Sequence, residues 1–216
     1  MKILLGIDYG TGGCKVTAID ETGAFVGEAS TEYVTYHEHP GWSEQEPEDW
    51  WTALCASLGK LAEKGVDLSQ VAALDGSTHN AVLMDADWKP IRRTIMWTDQ
   101  RATSECAALK AGWGEKVFST CFQMPAPTWT LPQMMWLKGN EPEVLKRVEH
   151  VLFVKDYVRY LLTGKPATDS IEAQGTLFFD MKKMSWDAEL VELSGLRMSA
   201  MPEIIRPTDV VGGVTA

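Results

Sequence analysis

The segment Leu4-Leu5-Gly6-Ile7-Asp8-Tyr9-Gly10-Thr11-Gly12-Gly13-Cys14-Lys15 constrains this chain more than any other. An apolar run reaches an Asp, a glycine-rich turn follows, and a second apolar run starts at Val16. The pattern predicts strand, tight turn, strand. Glycines admit positive φ and let backbone N–H groups come close to an anion. Thr11 adds a hydroxyl at the turn, and Asp8 stands where the first strand ends. A carboxylate beside a phosphate-sized nest points to a Mg²⁺–nucleotide site, because Mg²⁺ is usually held by one or two carboxylates, phosphate oxygens and waters. The same residues suit an ordinary β-hairpin with a glycine-rich turn. The turn is not a Walker A, since no Gly-Lys-Ser/Thr closes it. Nor is it a dinucleotide fingerprint, since a strand and not a helix follows.

A chain of 216 residues fits one large domain or two small ones, with room for a substantial core. Lys and Arg number 20 against 30 Asp and Glu, a net charge of −10, which argues against nucleic acid or an anionic membrane as the main partner. Cys14, Cys55, Cys106 and Cys121 show no Cys-x-x-Cys pair and suit reduced cytosolic thiols. Met1-Lys2 runs straight into a strand, with no cleavage site and no membrane-length apolar run, so a cytoplasmic protein is expected. His37 and His39, two apart in a polar loop, suit either a metal or a solvated loop.

Residues 3–8, 14–20 and 24–34 read as a three-stranded meander, and 35–46 as a loop. A helix is expected from Pro47, with Trp50, Trp51, Leu54, Leu58 and Leu61 at helical spacing. Of the two adjacent tryptophans only one can face the sheet. Val71 to Leu74 reads as a buried strand. Residues 81–84 and 91–97 read as a second hairpin, 101–111 as a helix and 112–132 as a loop. Residues 131–137, 142–148, 155–162 and 187–195 read as helices, with Thr163-Gly164-Lys165-Pro166 a clear stop and 168–180 polar, then weakly strand-like. The order predicts an α/β fold, a mixed β-sheet flanked by helices.

Several segments, taken together, resemble one family. They are the Asp8 turn, Gly41-Trp42-Ser43-Glu44-Gln45-Glu46-Pro47-Glu48-Asp49-Trp50-Trp51, Gly76-Ser77-Thr78-His79, Met96-Trp97-Thr98-Asp99-Gln100-Arg101, Lys155-Asp156-Tyr157 and Gly175-Thr176-Leu177-Phe178-Phe179-Asp180. Their order and spacing resemble the N-terminal domain of the FGGY carbohydrate kinases, the xylulokinase-type members above all. The Asp8 turn is shared more widely with actin-like and hexokinase-like ATPases.

The resemblance implies a ribonuclease H-like (actin-like ATPase) domain over 1–216, the sugar-binding part of an enzyme whose C-terminal nucleotide domain is a partner outside this chain. It implies ATP and Mg²⁺ as cofactors and transfer of the γ-phosphoryl group to a ketose or polyol, xylulose-like first. The catalytic aspartate is expected beyond Ala216, so the chain alone is expected to be inactive. Uncovered cleft surface would favour a homo-oligomer. Asp8 would hold the metal, with Gly10, Thr11, Gly12 and Gly13 against the phosphates. Lys15 is either a further phosphate ligand or a surface lysine of the second strand. Thr78, His79, Trp97, Asp99, Arg101 and Trp129 fall at sugar-facing positions. An imidazole exchanges hydrogen bonds with hydroxyls, and an indole covers the C–H face of a sugar. Asp99 and Arg101 suit sugar hydroxyls or each other. Two features depart from the xylulokinase pattern: Ser77-Thr78-His79-Asn80 replaces Gln-Met-His-Gly, and Gln133 follows Trp129-Thr130-Leu131-Pro132 where a Lys is common. A non-catalytic sugar-binding module and an actin-like ATPase are the rival readings. His79, Trp97 and Asp99 speak against the second.

Overall fold

Strict alternation of side chains makes the first sheet. In the computed structural model, which describes residues 2–77 and 80–215, the elements in chain order are as follows: β1 (Ile3–Tyr9), β2 (Gly13–Asp20), β3 (Phe25–Glu32), β4 (Glu44–Gln45), α1 (Pro47–Glu63), β5 (Val71–Ser77), β6 (Ala81–Met84), β7 (Thr94–Ile95), α2 (Thr103–Cys121), α3 (Thr130–Asn140), α4 (Pro142–Arg147), β8 (His150–Phe153), α5 (Val154–Thr163), β9 (Thr168–Asp169), α6 (Ser170–Gln174), β10 (Phe179–Asp180), β11 (Ser185–Trp186), α7 (Ala188–Ser194) and β12 (Ile204–Ile205). The described residues form two compact units, one of 2–35 with 46–77 and one of 36–45 with 80–215.

The first unit is a mixed sheet in the order β3-β2-β1-β5. β1–β2 and β2–β3 are antiparallel, and β1–β5 is parallel. Ile3, Leu5, Ile7 and Tyr9 of β1 and Cys14, Val16 and Ala18 of β2 are buried, while Leu4, Asp8 and Lys15 are exposed. Period-two alternation therefore sends the apolar set to one face and Asp8 to the other. Helix α1 packs on β2 and β3 and buries Trp50, Ala53, Leu54, Ser57 and Leu61, a stripe at spacings of three and four. Trp50 is fully buried and Trp51 only partly, as the helical angle between neighbours requires. Pro47 opens the helix with Glu48 and Asp49 in its first turn, both favourable at the positive end.

In the second unit α3 packs against α2, α4 and α7, around Leu109, Val117, Leu131, Met134, Leu137, Phe178, Leu190 and Val191. Two sequence expectations fail in this unit. The hairpin of 81–84 with 91–97 keeps its turn but not its ladder. Asp85 N donates to Lys89 O (3.0 Å) and Ile91 N to Leu83 O (2.9 Å), but β6 pairs along its length with β8, Ala81 opposite Phe153 and Met84 opposite His150. All of β6 is buried, so its backbone groups need a partner away from water, and Val151-Leu152-Phe153 supplies one from far along the chain. β7 pairs instead with β4.

The loop expected over 112–132 is helical to Cys121. Gly112 and Gly114 misdirect the reading. Both sit where an added Cβ would meet nothing, so each costs only about 1 kcal/mol of propensity. Buried Cys106, Leu109, Val117, Thr120 and Cys121 keep a continuous inward stripe. The helix stops where Phe122 takes a left-handed conformation (φ 54°).

A buried charge network ties α5, β9 and α6 together. Lys155 Nζ lies 2.8 Å from Asp156 Oδ1, 2.5 Å from Asp169 Oδ2 and 3.6 Å from Glu172 Oε2. Arg159 Nη2 lies 2.7 Å from Asp156 Oδ1. Asp169 also caps α6, accepting from Ile171 N and Glu172 N. Three carboxyls thus face two cations. Burial first, with the negative charges of Asp156 and Asp169 and despite Lys155, pushes the Glu172 carboxyl up to about 9. Folded Glu172 therefore keeps a proton that the unfolded chain releases near 4.5. Its contribution to stability is complete below about 4.5 and is lost as pH rises through about 9. Glu172→Gln, which mimics the protonated form, should match the parent near pH 4.5 and become the more stable of the two as pH rises toward 9. Thermal melts across that range check this; a gap independent of pH would contradict it.

Candidate functional site

The glycine turn is braced from behind. Gly10 N donates to Gly13 O (3.0 Å) and closes the turn. The Tyr33 hydroxyl donates to Gly10 O (2.8 Å) and Tyr33 N to Gly12 O (3.3 Å). The Thr35 hydroxyl donates to Thr11 O (2.5 Å). Three successive turn carbonyls are thus occupied from the end of β3 and just beyond it. Sequence reading missed Tyr33 and Thr35 because neither lies in the motif; only the return of the third strand brings them to it. Gly13 serves the sheet: an added Cβ would stand 2.7 Å from Thr31 O and 3.1 Å from the Glu32 Cα. At Gly12 a Cβ would meet nothing within 4 Å.

Asp8 ends the open face of β1, directly opposite Lys15 across the β1–β2 ladder. Lys15 Nζ is 2.9 Å from Glu28 Oε2, with both side chains about half exposed. Behind the sheet, burial and then the Asp8 charge push the Cys14 thiol up to about 12, so this cysteine is not a ready nucleophile. Among the described residues no group of three or more His, Cys, Asp or Glu is arranged to hold a metal. One exposed carboxylate beside a braced turn suits Mg²⁺ arriving with nucleotide phosphates, which supply the remaining ligands together with water.

In the second unit Trp97 lies in the turn that Asp99 closes, and Arg101 follows in the next turn, just before α2. Asp99 N donates to Met96 O (3.0 Å). Met96 is buried, and Trp97 projects with 45% of its surface exposed. The Asp99 carboxylate is buried and fully used. Oδ1 accepts from Arg101 N (2.8 Å) and Arg101 Nε (3.0 Å), and Oδ2 from Arg101 Nη2 (2.8 Å) and Ser43 N (2.6 Å). Arg101 Nη1 lies 2.8 Å from Glu44 Oε1. The guanidinium stacks 3.7 Å over Trp42 and 5.0 Å from the Trp136 ring centre. Glu44 also pairs with Arg92, which is 3.4 Å from Glu141.

Trp129 stands at the N-cap of α3, partly buried against the core. Buried Gln133 links the two tryptophan segments, its Nε2 donating to Met96 O (3.3 Å) and Thr128 O (3.5 Å). Sequence reading noticed Gln133 only as a departure from a pattern. Its role needs the fold, which brings residue 96 beneath α3. Thr78 and His79 lie outside the described residues. The His37 Nδ1–H donates to Trp42 O (2.7 Å), and His39 packs edge-on to Trp42 (4.4 Å). Both histidines thus serve the closing of their own loop. They line an open cleft of about 440 Å³ with Pro40, Ser43 and Thr98.

With this geometry in view, the comparison with known proteins is direct. The chain belongs to the FGGY family of carbohydrate kinases and matches its N-terminal domain over residues 3–216. It is 33% identical to the xylulose kinase of Escherichia coli K12 over 213 residues, 97% of this chain and 43% of that protein. The crystal structure of a xyloylose kinase from Brucella ovis is 34% identical and superposes with a TM-score of 0.92 over 99% of this chain and 44% of that one. A gluconate kinase from Lactobacillus acidophilus, 26% identical, superposes equally well, TM-score 0.92, over 99% of this chain and 44% of its own. The chain therefore spans less than half the length of the relatives it matches. The fold is that of the actin-like ATPases, as the family resemblance implied. Among the described residues no helix is long and apolar enough to cross a membrane.

The two glycines make a separable test. Gly13→Ala should destabilise the protein by about 1–3 kcal/mol, because β3 backbone cannot yield to a methyl group. Gly12→Ala should leave the melting temperature within about a degree or two of the parent, since the same atom meets open space. Denaturant melts of the two variants check this, and equal losses would contradict it.

Proposed function

We propose that residues 1–216 are the sugar-binding N-terminal domain of an ATP-dependent carbohydrate kinase, which transfers the γ-phosphoryl group to a hydroxyl of a ketose or polyol, with a xylulose-like sugar first. The observation that carries the reading is the braced glycine turn with Asp8 on its open face, in a chain of this family. Phosphoryl transfer is a matter of positioning and charge more than covalent chemistry. The residues present divide that work.

Asp8 holds Mg²⁺ directly or through water, and Gly10, Thr11, Gly12 and Gly13 lie along the phosphates. Mg²⁺, when bound, neutralises charge that builds on the transferred group. Lys15 adds positive charge on the same face as Asp8, shared with Glu28. Thr78, His79, Trp97 and Trp129 receive the sugar. His79 exchanges hydrogen bonds with hydroxyls, and the exposed Trp97 indole covers a C–H face. The base that takes the hydroxyl proton is an aspartate beyond Ala216, and the adenosine is held by a C-terminal domain. The enzyme works in the cytoplasm as a homo-oligomer.

A panel of pentuloses, hexuloses and polyols, with gluconate added because a gluconate kinase is among the structural matches, tests the substrate class by ATP consumption of the full-length enzyme. D-Xylulose is expected to give the highest kcat/KM, and a higher value for gluconate would move the assignment to sugar acids.

Asp8→Asn should retain the fold and weaken Mg²⁺–ATP use, since it removes the charge and keeps the shape; unchanged turnover at limiting Mg²⁺ would rule the role out. His79→Ala and Trp97→Ala should each reduce sugar kcat/KM, by on the order of 1–3 kcal/mol for a lost hydroxyl partner, with the KM for ATP little changed. If both leave sugar kinetics untouched, neither residue meets the sugar.

A further inference from the structure

We infer that Asp99, Arg101 and Glu44 are positioning residues, which act on the sugar only by holding the Trp97 turn in place. This rests on the reading of Trp97 as a sugar contact. A carboxylate offers about four acceptor positions. All four on Asp99 are filled from within the protein, two on Oδ1 by Arg101 N and Nε and two on Oδ2 by Arg101 Nη2 and Ser43 N. The Asp99 and Arg101 side chains are each 1% exposed. Arg101 is closed in by the faces of Trp42 and Trp136 and by Glu44. Asp99 thus has no acceptor left for a hydroxyl, and Arg101 Nη1, which makes no hydrogen bond, is buried away from one.

Beyond the Asp99–Arg101 pairing, a set of bonds fastens this segment to residues 41–45. Met96 N donates to Ser43 O (2.9 Å), Gln100 N to Gly41 O (2.8 Å) and the Thr98 hydroxyl to Ser43 Oγ (2.8 Å). Ile95 pairs with Glu44 across the β4–β7 ladder. Gln133 holds the Met96 carbonyl from α3. The residues on either side of Trp97 are thus tied down, while its own side chain projects. An indole carried on a backbone held in place stacks on a sugar with less ordering still to be done, and a displacement of about 1 Å at such a group costs up to roughly 100-fold in rate. The Gly41-Trp42-Ser43-Glu44 motif therefore acts in recognition at one remove, as the wall to which the recognition turn is sewn.

A double-mutant cycle in the full-length enzyme, with D-xylulose as the probe, tests this. Asp99→Asn removes the charge that pairs with Arg101 and keeps the shape. It should lower sugar kcat/KM roughly 10-fold, with the KM for ATP unchanged. Trp97→Ala should lower it by at least as much, and Asp99→Asn made in the Trp97→Ala background should cause no further fall. Arg101→Lys, which keeps charge and loses the planar fork, should behave as Asp99→Asn does. Should Asp99→Asn fail to fold, Ser43→Ala, which removes only the acceptor of Thr98, takes its place and should give a smaller loss that Trp97→Ala again abolishes. Full additivity of the two losses would overturn the inference, because Asp99 would then act on the sugar itself. So would normal sugar kinetics in Asp99→Asn beside impaired Trp97→Ala. Normal sugar kinetics in Trp97→Ala would instead overturn the reading of Trp97 on which the inference rests.

Discussion

A guanidinium with no access to water organises the second unit. Removing the Arg101 charge from solvent is expensive unless the charge is paired. The chain answers with a bidentate carboxylate at Asp99, a second carboxylate at Glu44 and two indole faces. Those partners come from segments far apart in sequence, so satisfying one side chain brings residues 41–45, the segment 96–101 and α3 into a fixed arrangement. Asp99 is in turn occupied by the Ser43 amide. A site built this way resists small displacements, since moving any member leaves a buried charge without its partner.

The first unit meets a different requirement by different means. A glycine-rich turn has few side chains of its own to hold its shape. Here the shape comes from Tyr33 and Thr35, which occupy its carbonyls. The consecutive glycines are not equivalent. Gly13 is demanded by the approach of β3 backbone, while Gly12 lies in open space. A glycine-rich string thus carries a packing constraint and a binding opportunity side by side, and only the distances separate them. The buried network around Lys155 makes a third case, in which more carboxyls than cations are enclosed and a proton on Glu172 makes up the balance.

Local pattern was enough for much of the architecture. Alternation gave the first three strands nearly to their ends, and the spacing of Trp50, Leu54 and Leu61 gave α1 with its start at Pro47. The family was legible too, since its motifs are strings of neighbouring residues. Pairing partners were not. The strand at 150–153 was not foreseen, because three apolar residues before a helix have no period of their own, and β6 was given to the wrong partner for the same reason. Two glycines stopped α2 too early on paper, because propensity is local and a buried stripe outweighs it.

The sequence by itself determined which side chains exist to do the chemistry and in what order they come: Asp8 at a strand end, a glycine-rich turn, Trp97 two residues before Asp99. It determined the faces of β1, β2 and α1, because burial there follows from periods of two and of 3.6. Tertiary structure decided what those side chains are at liberty to do. Asp99 and Arg101 carry polar groups in the right motif, yet only the fold shows that Asp99 is spent on Arg101 and Ser43 and that Arg101 is buried against Asp99 and Glu44. Trp97 differs from the buried tryptophan at position 50 only in where the chain leaves it. The physical reason is that a hydrogen-bonding group has a fixed number of partners, and whether any remains for a ligand depends on contacts between residues that sequence spacing does not bring together.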